Sequence, residues 1–248
     1  MSGPSNMLFS VFIRFFRMIA PNVQCVRRLS LATDQTRLDA VPTVACSIVT
    51  YNADCDAFSA QVRLQPGRDE IIPELSAMVE DHLKIFYTKN NSTYPERIQI
   101  FRDGISEGQY AAAYITSTTP SSKPANASKK TYRPRILVCI CAKRQNTRFF
   151  GSRPDVDRSG SLPSGLVVDR SNTHPYAFDF FLQAHQGRVG TARPTHSICL
   201  LDELAITPDQ LQQLVHNLFY SFSRCTRSVS LVPVCYIAGE SGSLPHSK

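Results

Sequence analysis

Apolar positions along this chain fall into short β-branched runs, separated by stretches that repeat every three or four residues. Residues 43–50 (TVACSIVT) form one such run and read as a buried strand. Residues 52–56 (NADCD) read as a turn, and 58–65 (FSAQVRLQ) alternate apolar with polar, which predicts a half-exposed second strand and a hairpin. Further strands are expected at 97–102 (RIQIFR), ending at Asp103-Gly104, and at 136–142 (ILVCICA), running straight into Lys143-Arg144. Two more follow at 177–183 (AFDFFLQ) and 196–201 (HSICLL).

The helical period shows in two places. Between 69 and 89, Ile71, Ile72, Leu75, Met78, Val79, His82, Leu83, Phe86 and Tyr87 make one stripe, in which His82 reads as a packed, hydrogen-bonded residue. Thr207-Pro208-Asp209-Gln210 then opens a helix with Thr as N-cap, Pro at the first helical position and Gln to close a capping box. Leu211, Leu214, Val215, Leu218, Phe219 and Phe222 supply its buried stripe. Residues 116–134 hold Ser, Thr, Pro, Asn and Lys and are expected to be a flexible loop rather than a helix; 151–176 also read as loop. Strands and helices mixed in this order predict one α/β domain.

Composition narrows the function classes. A chain of 248 residues with 42% hydrophobic residues can bury one sizeable core. The net charge of +7 suits an anionic partner without selecting one. The eight cysteines show no CxxC pair, and several sit inside apolar runs, which fits a reducing compartment better than a disulfide framework or a zinc site. Residues 7–20 are apolar but are interrupted by Arg14 and Arg17 and are too short to span a bilayer. With Arg27 and Arg28 and no acid as far as Ala32, this segment reads either as an organelle-targeting presequence or as a divergent amino terminus.

Four motifs carry a resemblance that periodicity alone does not. They are Arg68 to Gly108 (RDEIIPELSAMVEDHL through RIQIFRDGISEG), KRQNTRFF at 143–150, THPYAFDFFLQAHQGRVGTARPTH at 173–196 and RCTRSVS at 224–230. In order and spacing they resemble the Piwi domain of the Argonaute family, over roughly residues 44–238. The resemblance implies an RNase H-like fold, a mixed sheet flanked by helices. The family's first aspartate lies on a strand preceding the one that matches TVACSIVT, and residues 1–43 hold nothing like it, Asp39 being a poor stand-in. The domain is therefore expected to lack its first strand, with 1–43 a divergent segment, 44–240 the domain, and 241–248 a tail.

Slicing Argonautes hold two divalent metals with acids and a histidine. Asp103 matches one family aspartate and metal ligand, and Glu70 matches the mobile catalytic glutamate. The plainer readings stand beside these: Asp103 as a turn residue, and Glu70 as a first-turn acid favoured by the helix dipole. The family histidine falls near Gly239, and His246 lies in the tail. Two of four ligands are thus absent. The expectation is a chain that is not a slicer and has no cofactor, Mg2+ or Mn2+ binding only if other residues complete the site.

The resemblance also carries guide-backbone roles onto Lys143, Arg148, His185, Arg193, Arg224 and Ser230, residue types suited to phosphates. Phe222 and Cys235 stand where the family has tyrosines. The resulting expectation is a guide RNA-binding protein of small-RNA silencing that meets guide and target RNA, sits in the cytoplasm and spans no membrane. Protein silencing partners are not expected, since the family pocket beside Phe86 and Tyr87 needs a helix where 116–134 reads as loop. The alternatives are an RNA-guided endoribonuclease with a non-standard metal site, or an inactive fragment or interaction module.

Overall fold

The computed structural model describes residues 8–17, 43–52, 57–65, 71–103, 105–118, 132–143, 145–187, 190–222, 225–230 and 232. Its strands are β1 (Leu8–Arg17), β2 (Thr43–Thr50), β3 (Phe58–Gln65), β4 (Arg97–Arg102), β5 (Arg135–Ala142), β6 (Val167–Val168), β7 (Asp179–Leu182) and β8 (Thr195–Asp202). The helices are α1 (Leu75–Lys89), α2 (Tyr110–Thr118) and α3 (Pro208–Leu218). The strands form one eight-stranded sheet in the order β3-β2-β1-β4-β5-β8-β7-β6. At its centre β1, β4 and β5 run parallel, while β2 and β8 flank them antiparallel.

Both faces of the sheet are covered, which is why the central strands are apolar at successive positions. On one face Ala45, Val49, Ile98, Ile100, Ile136 and Val138 pack against Leu75, Met78, Val79, Leu83 and Phe86 of α1. Farther along the same face, Ile140 and Ile198 meet Ala113 of α2. On the other face Cys46, Phe101, Leu137, Cys139, Cys141, Phe180 and Leu182 pack against Leu211, Val215 and Phe219, so α3 closes that side. The predicted capping of α3 is present: Thr207 Oγ1 accepts from Gln210 N at 3.3 Å, and Gln210 Oε1 accepts from Thr207 N at 3.0 Å. His82 is packed as expected, its Nε2 2.9 Å from Ser47 Oγ on β2. Burial, only partly offset by Ser47 and the charge of Asp81, lowers its pKa to about 4, so it is neutral near pH 7.

Four expectations need correction. The sheet does not lack its first strand: β1, drawn from the apolar, Arg-interrupted amino-terminal segment, lies between β2 and β4, with Val11 level with Val49 on one side and Ile100 on the other. Residues 8–17 therefore belong to the sheet. The loop expected at 116–134 does not begin at 116, because α2 runs to Thr118. Ser106 and Gln109 form a capping box ahead of it, and its Tyr-Ala-Ala-Ala opening has high helix propensity. Residues 119–131 lie outside the described residues.

The long helix starts at Leu75 and not at 69, since the Pro73 ring disfavours helical geometry at Ile72. Glu70 lies outside the described residues, as do residues 53–56 of the turn expected at 52–56 and the tail. Within 151–176, β6 pairs Val167 with Leu182 and adds a short edge strand that the Gly, Pro and Ser around it concealed.

Candidate nucleic-acid interface

Strand direction decides what meets at each end of this sheet. The parallel strands β4 and β5 deliver Asp103 and Lys143 at their carboxyl ends. β8 is antiparallel to β5, with Ala142 level with His196, so Arg193 and Pro194 arrive at that same end just before β8 begins. β7 is antiparallel to β8 and pairs Leu182 with Thr195, which brings His185 there as well. The carboxyl edge of such a sheet is where α/β folds present ligand-binding groups.

Lys143 organises the cluster. Its Nζ donates to the carbonyl of Arg193 at 2.7 Å and to that of Ser230 at 2.9 Å. The Ser230 carbonyl also accepts from Thr195 Oγ1 at 2.9 Å, which fixes the carboxy-terminal strand of chain against the start of β8. Gln145 Nε2 donates to Pro194 O at 2.7 Å, and Thr191 Oγ1 donates to Phe149 O at 2.8 Å. These contacts stitch the segment after β5 to the segment before β8.

The electrostatics of this cluster are one-sided. Burial, then the guanidiniums of Arg193 and Arg148, lower the Lys143 pKa to about 8. Burial, then Lys143, also lower the pKa of His185. Among the described residues none of Lys143, Arg148 and Arg193 is ion-paired with a carboxylate. The buried Nδ1 of His185 has no hydrogen-bond partner there either. Positive groups that crowd one another in this way are stabilised by an added anion, whose charge relieves their repulsion.

Five of the six residues expected to hold RNA backbone are thus brought together: Lys143, Arg148, His185, Arg193 and Ser230. The sixth, Arg224, lies outside the described residues, and so does Cys235. Ser230 contributes its carbonyl to the scaffold. Phe222 is half-buried. Phe86 is fully buried against the sheet, and the ring of Tyr87 lies 4.6 Å from that of Tyr94.

Asp103 stands at the same edge, half-buried beside the end of β4. A two-metal centre needs anionic ligands from the neighbouring strand, because the ions share charge with the scissile phosphate. The last β1–β4 pair joins Ile13 to Arg102, so the β1 residue level with Asp103 is Arg14. The strand (LFSVFIRFFR) carries no carboxylate. Among the described residues no three of His, Cys, Asp and Glu stand together as a metal site. Among the described residues, those around Asp103 do not complete a metal pair.

Sequence reasoning missed several members of this edge. Asp179 Oδ2 and His196 Nε2 lie 2.6 Å apart, Asp179 Oδ1 accepts from His174 N at 2.8 Å, and the His196 ring stacks on Phe181 at 4.2 Å. The strand period could have placed Asp179 and His196 in the sheet but not opposite each other. Ser164 Oγ donates to Ala184 O at 2.6 Å and lies 3.4 Å from both Tyr220 Oη and Ser228 Oγ, a grouping that joins three distant segments. Among the described residues no helix is long and apolar enough to cross a membrane.

Comparison with known proteins agrees with this geometry. The family model described as the Piwi domain matches residues 29–244. The chain is 34% identical to Protein argonaute 5 of Arabidopsis thaliana, over 95% of this chain and 25% of that protein. It is 41% identical to Protein argonaute 7 of the same plant, over 81% of this chain and 20% of that protein. Among solved structures, Kluyveromyces polysporus Argonaute with a guide RNA superposes with a TM-score of 0.82 at 26% identity, covering 98% of this chain and 27% of that one. The chain spans about a quarter or less of the curated relatives' length. The sheet order, the edge cluster and these likenesses together place the chain in the Piwi-domain family, matching the Piwi portion of Argonautes.

Proposed function

We propose that this chain binds a single-stranded guide RNA through the carboxyl edge of its sheet and does not cut the paired target. The observation that carries the reading is the unpaired cationic cluster. Burial, reinforced by the charges of Arg193 and Arg148, lowers the Lys143 pKa to about 8, and among the described residues no carboxylate is ion-paired with any of the three. Such a cluster suits successive phosphates, whose negative charge it can neutralise with release of counterions. The solved Kluyveromyces polysporus Argonaute holds a guide RNA, which supports the same ligand class here.

The absence of cutting follows from chemistry at Asp103. The neighbouring strand β1 carries no carboxylate, so it supplies no acid to a metal pair beside Asp103. By this reading the chain acts in cytoplasmic small-RNA silencing by holding RNA, with no resident metal.

The test is an incubation of the purified chain with a labelled guide RNA and its complementary target, with magnesium or manganese. Retained guide without a cleavage product is the expected result. A metal-dependent product that disappears in Asp103→Asn would overturn the non-cutting half, and failure to retain guide would overturn the binding half.

A further inference from the structure

Two consecutive phenylalanines after β5 are treated very differently by the fold. Phe149 turns inward, its ring edge-on to Phe181 at 5.7 Å, and Phe181 in turn stacks on His196. Phe150 turns outward and is 79% exposed. An exposed phenylalanine on a mobile loop would mean little. This one is held on both sides. Its preceding carbonyl, Phe149 O, is fixed by the Thr191 hydroxyl at 2.8 Å. Its following residue is Gly151, where an added Cβ would stand 2.6 Å from Leu162 Cδ2 and 3.0 Å from Val156 Cγ1. The backbone there lies directly on the buried Leu162, so only glycine fits without displacing it.

Charge around the ring favours one kind of occupant. Arg148 lies two positions before it, and Thr191, which pins Phe149, lies two before Arg193; neither arginine is ion-paired with a carboxylate among the described residues. The nearby acids are engaged locally. Asp155 is hydrogen-bonded to Ser152, and Asp157 accepts from the backbone of Ser159 at 2.8 Å and of Ser161 at 2.9 Å. An exposed aromatic face on a fixed backbone, two residues from an arginine with no carboxylate partner among the described residues, suits a nucleotide, whose phosphate can meet a guanidinium while its base covers the ring.

We propose that Phe150 is a stacking platform for one base of the bound single-stranded RNA. The inference rests on the RNA-binding reading above and adds a base contact to its phosphate contacts. A base contact differs from a phosphate contact in two measurable ways: it requires the nucleobase, and it releases no counterions.

The experiment measures affinity of the full chain for a labelled single-stranded RNA, and for an abasic strand of the same length, across a salt series. Wild type is compared with Phe150→Ala, Phe150→Leu and Phe150→Tyr, after matched thermal transitions establish that each is folded. The Ala variant is expected to bind RNA between about 5-fold and about 150-fold more weakly, with an unchanged salt slope. The Leu variant loses most of that affinity as well, the Tyr variant keeps it, and all four proteins bind the abasic strand alike. Wild-type affinity in Phe150→Ala, full rescue by Leu, or an equal loss on the abasic strand would each overturn the platform while leaving the phosphate cluster standing. Absence of salt-sensitive RNA binding by folded wild type would overturn the underlying reading, and the platform with it.

Discussion

Lys143 shows how a single side chain is placed between two tasks. Its ammonium holds two backbone carbonyls, yet burial and its cationic neighbours lower its pKa to about 8. Because the folded value lies below the unfolded one, the free chain is destabilised while Lys143 is charged, and that penalty is relieved as pH rises from about 8 towards the ordinary lysine range. RNA binding has the opposite sign. A bound phosphate favours the charged form, so affinity is expected to fall as pH rises from 7 to 9, with proton uptake on binding near pH 8. Isothermal titration in buffers of different ionisation heat measures that uptake directly. Lys143→Arg, which stays charged throughout, should flatten the pH dependence; an unchanged profile in that variant would assign the titration elsewhere.

Among the elements, β1 matters most. It separates β2 from β4, pairing with β2 over residues 10–17 and with β4 over residues 8–13, so without it the hairpin of β2 and β3 would have no edge to join. Deleting residues 1–17 is expected to abolish cooperative thermal unfolding as followed by circular dichroism. A deletion variant with an unchanged melting profile would mean the strand is dispensable.

Why this element was hard to read is a matter of physics. Arg14 and Arg17 interrupt its apolar run and imitate a targeting segment, while its partners lie far along the chain, where local pattern carries no information. By contrast β2, β3, β4 and β5 were legible, since each is a contiguous apolar or alternating run bounded by turn residues. α3 announced itself through Thr207, Pro208 and Gln210. α2 did not, because its buried contact is little more than Ala113 and its capping box sits in a SerGluGlyGln segment that reads equally well as a turn. At the candidate interface the residue types were legible from the motif resemblance. The lysine clamp was not, since it runs to backbone carbonyls that no side-chain pattern reveals.

At the scale of the whole molecule, strand direction gathers Lys143, Arg148 and Arg193 from two separate segments onto one edge and leaves Asp103 beside a strand with no acid. A net charge of +7 becomes informative only through that placement. The same topology in an acid-bearing version could assemble metals; under the proposed reading it here assembles a phosphate-binding surface.

The most direct test of that account is the salt dependence of single-stranded RNA binding by wild type, Arg148→Ala and Arg193→Ala, neither of which removes the Lys143 clamp. The account predicts affinity that falls linearly on logarithmic axes with salt, and a slope lower by about 0.7 for each arginine removed. Wild-type affinity and slope in both folded variants would contradict it.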